Sequence, residues 1–410
     1  MIHDLPADLP ADLIGAKAHG LNELMRLGLP VPPGFVISTA ACRAFLRDGR
    51  LPDELPPQAG RVSVRSGAAV SMPGMMDTVL DVEPDQVRSA IAAVFSSWNS
   101  PRAVTYRELH AIPHDLGTAV IVQAMVYGDR DQHSGSGVAF SRDPSTGAPV
   151  VFGEVLFGRR GIDVVSGSHA TRPVTDLAER EPAVWAALES ALGRLERHYR
   201  DVCQVEFTFE SGRLWFLQVR PGGLVGRAAI RVAVDLVDEG LIDRGTAVQR
   251  VSAGDVRAAR TPRLRTDVDL LARGQGASPG VAAGRIAVTA DQAVRMAADG
   301  PVVLVRPHTS PLDMHGLAAA AGVVTSLGGP ASHAAVVARA MGKPAVVAAP
   351  LTVDLQADCV RANDRSVPEG TLIAVDGTGG EVVLGDPGTT TAAEDPHLSR
   401  LLAWMNADLR

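Results

Sequence analysis

Apolar positions along the chain switch between spacings of three to four residues and spacings of two, so helices and strands interleave from end to end. Leu21, Leu24, Met25 and Leu27 predict a helix over residues 18–27. LGLPVPPGFVIS then turns through prolines into a strand. RVSVRSG (61–67) reads as a short strand entering a glycine turn, and residues 84–98 have helical periodicity. TAVIVQAMVYG (118–128) reads as a buried strand, with a polar, glycine-bearing loop, DRDQHSGSG, after it. VAFSRDPSTGAPVVFGEVL (138–156) predicts a hairpin around Ser145, Thr146 and Gly147. Residues 182–199 predict a long helix. QVEFTFESGRLWFLQVRP (204–221) predicts a second hairpin that turns at Ser211 and Gly212, with apolar and polar residues alternating in both arms.

From 222 to about 275 the pattern becomes helical and more charged. Beyond Gly276 it breaks into glycine-punctuated strands (GRIAV, PVVLVRP, AGVVTS, GTLIAVDG, GEVVLG) and one strong helix over 332–341. HLSRLLAWMNADL at the end can form an amphipathic helix. The expected architecture is α/β (α+β): a first domain at 1–222, a helical connector at 223–275, a compact α/β domain at 276–388 and a tail helix within 389–410.

Composition narrows the class. A chain of 410 residues exceeds what one core usually holds, and 46% apolar with 21% charged residues is a globular balance. Only 4% of residues are aromatic, so Ala, Val, Leu and Gly must carry the core, which favours close-packed α/β layers over stacking platforms for bases. A net charge of −7 argues against a general binder of nucleic acid or anionic membrane. Cys42, Cys203 and Cys359 are far apart without metal-ligand spacing, which fits a reducing cytoplasm. The start of the chain lacks a basic segment followed by an apolar run, and no apolar stretch is long enough to span a bilayer, so neither a signal peptide nor a membrane span is expected.

GVVTSLGGPASHAAVVARAMGKPAVV (322–347) carries the sharpest chemistry. A strand ends, Gly328 and Gly329 turn the chain, and Ser332 stands where a helix would be capped, with His333 as its first residue. Unpaired backbone N–H groups and the helix dipole favour an anion there, and a neutral imidazole is a nucleophile able to accept and release a phosphoryl group. Arg306 and Arg339 are candidate charge partners. A lone histidine in such a place is better explained as a structural side chain at a helix start.

The surrounding residues, GGxxSHAAxxAR followed by GKP, resemble the phosphohistidine signature of the phosphoenolpyruvate-utilising enzymes. LIGAKAHGLNELMRLGLPVPPGFVIST, VSVRSGAAVSMPGMMDTVL and QVEFTFESGRLWFLQVRP similarly resemble the nucleotide-binding half of the pyruvate, phosphate dikinase family, in order, from about residue 13 to 385. The resemblance implies an ATP-grasp-like domain joined through the connector to a swivelling β/β/α phosphohistidine domain. It implies that Lys17, Arg65 and Arg220 contact phosphates, Glu206 and Gln218 hold Mg²⁺, the segment from Gln123 through Met125 to Tyr127 lines the adenine, residues 134–137 form a mobile loop over the phosphates, and His333 is phosphorylated. As isolated residues, Arg65 and Arg220 read better as surface salt-bridge partners and Lys17 as a solvated helix residue.

The implied activity is ATP-dependent phosphoryl transfer to His333 with AMP as product, inorganic phosphate or water taking the second phosphoryl group, and delivery to pyruvate on a separate barrel protein or to another acceptor. A small-molecule dikinase acting on an antibiotic or amide, and a non-catalytic phosphocarrier, are the alternatives. The chain departs from the family pattern at Ala16, Gln204, His308 and Ala331, in a shortened segment after MDTVL, and in ending soon after the histidine domain where the family has its carbon-acceptor barrel.

Overall fold

In the computed structural model, residues 1–70, 72, 74–161, 171–260, 263–265, 269–329, 332–390 and 395–407 are described. Ser71 and Pro73 of the expected phosphate-end motif, and Ala331, lie outside the described residues. The class is mixed α/β with several sheets, as expected. The chain divides into two units, one of Met1–Ser136, Phe157–Gly161 and Val205–Arg220, the other of Gly137–Leu156, Ile162–Gln204 and Pro221–Arg410.

The first unit is built on an antiparallel sheet of β1 (Ile2–Asp4), β2 (Gly34–Ile37), β3 (Val62–Gly67), β4 (Thr78–Val82) and β5 (Ala119–Ala124), in the order β1-β2-β5-β3-β4. Alternation sorts its faces. Phe35, Ile37, Val62, Val64, Val120 and Val122 pack on one side with Ala41 and Cys42 of α2 (Thr39–Asp48) and Ile91, Val94 and Phe95 of α3 (Val87–Ser96). The opposite face carries Ser63, Arg65 and Gly67 from β3, paired with Gln123, Ile121 and Ala119 of β5. The second hairpin forms as read, from Cys203–Glu210 to Arg213–Pro221, with Ser211 and Gly212 both at positive φ.

α1 (Ala11–Arg26) is longer than the helix expected at 18–27, and it is broken at Gly15, where φ is 79°. There the chain bends so that Ala16 N–H donates to Ala68 O at 3.0 Å, and a Cβ on Gly15 would overlap the Gly67 carbonyl. Apolar spacing alone does not reach back over this break. Residues 134–137 depart further from expectation. They enter a strand, Gly135–Phe140, and Ser134 and Ser136 are fully buried, Ser136 Oγ bonding Thr208 Oγ1 at 2.9 Å. Glycines that suggest an open loop here allow close packing instead.

In the second unit the expected helix Pro182–Tyr199 is present over its full length. Arg142 lies deeply buried and its guanidinium donates to Glu196 at 2.7 Å and to Glu239 at 2.6 Å. Helices Gly226–Asp238, Arg244–Arg250 and Ala253–Ala259 follow, and Ile230, Val234 and Ala247 pack with Leu398, Leu401 and Trp404 of the tail helix Pro396–Ala407. The pattern read as helical to 275 ends earlier. Arg263–Leu264 and Leu270–Arg273 are strands pairing with Thr389–Thr390 and Glu381–Leu384, too short to reveal a period of their own.

Those pairings belong to an eight-stranded mixed sheet, apart from the two-stranded 263–264 ribbon. Its centre is parallel: Val281–Ala287, Val302–Arg306, Gly322–Thr325 and Ala345–Val347 lie side by side, and Val302 to Val305 are buried on both faces. The histidine helix, His333–Ala340, follows the third of these strands.

Gly15→Ala is expected to destabilise the protein by about 2 kcal/mol or more, because it combines an unfavourable φ with a backbone overlap. Thermal unfolding measures it, and an unchanged midpoint would show that the break in α1 is dispensable.

Candidate functional site

Four backbone elements of the first unit bring one carboxylate among three cations. Arg65, on the inner face of β3, donates to Leu217 O at 2.7 Å and to Glu206 Oε2 at 3.3 Å. Arg220 approaches Glu206 Oε1 at 3.8 Å. Gln218, with its amide oxygen turned to Arg220, accepts from Nε and, at 2.7 Å, from Nη2. Lys17 follows the break at Gly15, and its Cβ lies near Gly67. Withdrawal from bulk water lowers the Lys17 ammonium to about 7. Arg65 and Arg220 push the same way, and Glu206 opposes them. Burial raises the Glu206 carboxyl, but Arg220, Arg65 and Lys17 outweigh it and hold the pKa below the ordinary value. Arg65 is lowered by burial and by Arg220 against Glu206. The cluster is short of negative charge and suits a polyanion.

The other three residues expected at this end are arranged differently from one another. Gln123 is buried on the same sheet face as Arg65, its Nε2 donating to Pro32 O at 2.9 Å while Oε1 has no partner. Met125 N–H donates to Arg61 O at 3.0 Å. Tyr127 donates its hydroxyl to Asp81 at 2.8 Å beneath the guanidinium groups of Arg130 and Arg160. Asp81 also meets Arg61 and Arg160, a cluster that no pattern in the sequence announces.

In the second unit, Gly328 turns the chain at φ 79° after β-strand Gly322–Thr325, and His333 opens the following helix. Its Nδ1 is hydrogen-bonded to Thr309 Oγ1 at 3.1 Å, and its Nε2 is buried without a partner. Burial lowers the imidazole pKa to about 4, opposed by Asp313, so the ring is neutral at ordinary pH. Ser332 has the extended backbone of a helix cap, yet its side chain makes no capping bond. Of the two arginines taken as charge partners, Arg306 bonds Val288 O at 3.0 Å and lies 3.5 Å from Asp313, while Arg339 bonds Ala277 O at 2.8 Å. Lys343 of the GKP motif donates to the Ala318 and Ala320 carbonyls, closing the helix Met314–Ala319.

Sequence reasoning passed over Thr309 and Glu154. Thr309 is buried, 24 positions from the histidine it holds. Glu154, on strand Phe152–Phe157, accepts from Thr171 and fills the space a side chain at Gly329 would need. Neither contact has a local signature. Among the described residues, no group of three or more His, Cys, Asp and Glu is placed to hold a metal, all three cysteines are free and buried, and no helix is long and apolar enough to cross a membrane.

The family model described as the pyruvate phosphate dikinase AMP/ATP-binding domain matches residues 11–61 and 53–181, and that of the PEP-utilising enzyme mobile domain matches 298–380. Pyruvate, phosphate dikinase of Rhizobium meliloti (strain 1021) is 34% identical over 97% of this chain and 59% of its own length. That of Clostridium symbiosum is 32% identical over 96% and 59%, and the chloroplastic enzyme 1 of Oryza sativa subsp. japonica 33% over 96% and 54%. The chain thus spans little more than half the length of these relatives. With both domains matched in order and about a third of the residues identical along nearly all of it, the chain belongs to the pyruvate, phosphate dikinase family of PEP-utilising enzymes.

Proposed function

We propose that the protein is an ATP-dependent phosphotransferase of the dikinase type, with His333 as the phosphoryl acceptor. The uncommitted Nε2 of a neutral imidazole at a helix start carries this reading. In the tautomer whose Nδ1 donates to Thr309, Nε2 holds its lone pair ready without needing a base. Nε2 attacks the β-phosphorus of ATP, the bond from that phosphorus to the oxygen bridging the α-phosphate breaks, and AMP leaves with the electron pair. The terminal phosphoryl group then passes to inorganic phosphate or water. The group on His333 goes to pyruvate, which the relatives' names specify, or to another acceptor.

Lys17, Arg65 and Arg220 neutralise the phosphates, and the surplus of cations over the single Glu206 carboxylate fits that task. Residues 123–127 line the base. Glu206 and Gln218 carry hard oxygen atoms that would hold Mg²⁺, the Gln218 oxygen turning from Arg220 to do so. Bound there, Mg²⁺ would supply charge neutralisation to the phosphates. The domain division into 1–222, 223–275, 276–388 and 389–410, and the swivelling of the third of these, belong to the same proposal.

ATP labelled at the β-phosphate is expected to leave acid-labile, base-stable label on the wild-type protein and none on His333→Ala. An unlabelled wild type, or an equally labelled variant, would sink the reading. Pyrophosphate that forms only with added phosphate marks the dikinase, and free phosphate without it marks the water-using type.

Glu206→Gln keeps the side chain's size and removes its charge. Labelling should fall by at least roughly a hundredfold, the scale for one charge-stabilising group, with folding retained by circular dichroism. Undiminished labelling would remove Glu206 from the site.

The His333 pKa also makes a pH prediction. A folded value near 4 against 6.5 for the free side chain means that the unfolded chain takes up a proton first as pH falls. This residue's contribution is constant above 6.5 and is lost as pH falls toward 4. Ring NMR signals of His333 should therefore stay those of a neutral imidazole until pH approaches about 4, and a midpoint at the ordinary histidine value would refute the argument from burial.

A further inference from the structure

Asp243, Ser252 and Thr289 begin their helices with extended backbone and each side chain accepts a bond from the first turn, whereas Ser38, with the same backbone, makes no such bond. Ser332 begins the histidine helix with the same geometry, φ −64° and ψ 161°, and accepts none. Its hydroxyl is not turned to water instead. The residue is only 4% exposed, and Oγ has no hydrogen-bond partner. A buried, unsatisfied hydroxyl is costly and calls for an explanation. The next residue supplies one, because His333 Nε2 is the second unpartnered buried polar atom at this helix start. Arg306 Nε, at the end of the strand that leads to Thr309, is also buried without a partner.

We propose that Ser332 is a catalytic residue whose hydroxyl donates to an oxygen of the phosphoryl group on His333, together with the uncapped N–H groups of the helix. A capping serine would satisfy the helix with its oxygen. Leaving the first turn uncapped keeps both hydroxyl and amides available for an anion that arrives only when Nε2 is modified. The buried setting strengthens a charge-assisted bond of this kind. The proposal deepens the reading above and rests on His333 bearing the phosphoryl group.

Phosphoramidate, which phosphorylates histidine without ATP, separates the two. The full-length wild type, Ser332→Ala and Ser332→Thr are treated with it, modification of residue 333 is located by mass spectrometry, and its decay is followed by ³¹P NMR. The group on His333 should be lost about tenfold faster from Ser332→Ala, the loss expected for one hydrogen bond to a charged group, with a shifted ³¹P resonance. Ser332→Thr should behave as wild type. The unphosphorylated Ser332→Ala should unfold at or above the wild-type temperature, because Oγ caps nothing and is buried without a partner. Equal decay and an unmoved resonance would overturn the proposal, as would a wild type left unmodified at residue 333. A lowered unfolding midpoint with unchanged decay would also overturn it, making Ser332 an ordinary cap. Ser332-dependent decay in a protein that ATP does not label would refute the proposed function and leave the cradle standing.

Discussion

A single carboxylate, Glu206, holds together the charged centre of the first unit. Arg65 comes from β3, Arg220 from the end of the second hairpin, and Lys17 from the helix broken at Gly15. The three cations repel one another, as the downward pull of Arg65 and Arg220 on Lys17 makes plain. Only Glu206, the Leu217 carbonyl and the Gln218 amide oppose that repulsion among these contacts. An arrangement optimised for stability would add acidic partners. This one keeps the positive excess partly sheltered from water, where the proposed polyphosphate would gain most from it.

The hairpin that carries Glu206 was legible from local rules, while the gathering of Lys17, Arg65 and Arg220 around it was implied only by the family resemblance. Ser211 and Gly212 turn the hairpin, and the alternation of Val205, Phe207 and Phe209 with Glu206 places the carboxylate on the face opposite a buried row. The Pro182–Tyr199 helix was read for the same reason, a long and regular period. Where no period exists, reading fails. Arg263–Leu264 and Leu270–Arg273 are strands through the partners they find, more than a hundred residues later in the chain. Thr309 and Glu154 reach the histidine segment by tertiary packing alone. Ser134 and Ser136 look like loop residues by type and are core residues by position.

The histidine motif was legible as chemistry, and its details were not. Ser332 has the right residue type and backbone for a cap, which is why sequence assigns it one, yet its hydroxyl stays uncommitted. Lys343 of the GKP motif is consumed by carbonyls at a helix end. Residue type predicts what a side chain can do, and the free partners around it decide what it does.

An imidazole held near a pKa of 4 is a weak base, and this bears on both directions of transfer. Low basicity guarantees the unprotonated form but blunts nucleophilic attack. It also makes the nitrogen a better leaving group, so a phosphoryl group on it is easily surrendered. That balance suits a carrier that must give up what it accepts, and ill suits a group meant to stay. It also raises a difficulty, because an easily surrendered group is exposed to water before the acceptor arrives. A hydroxyl and helix N–H groups reserved for the phosphoryl oxygens resolve it, since they stabilise the loaded state without raising the basicity of the ring. On the proposed role of His333, the unsatisfied Ser332 hydroxyl and the depressed His333 pKa would both answer one requirement, a labile bond that must survive until it is used.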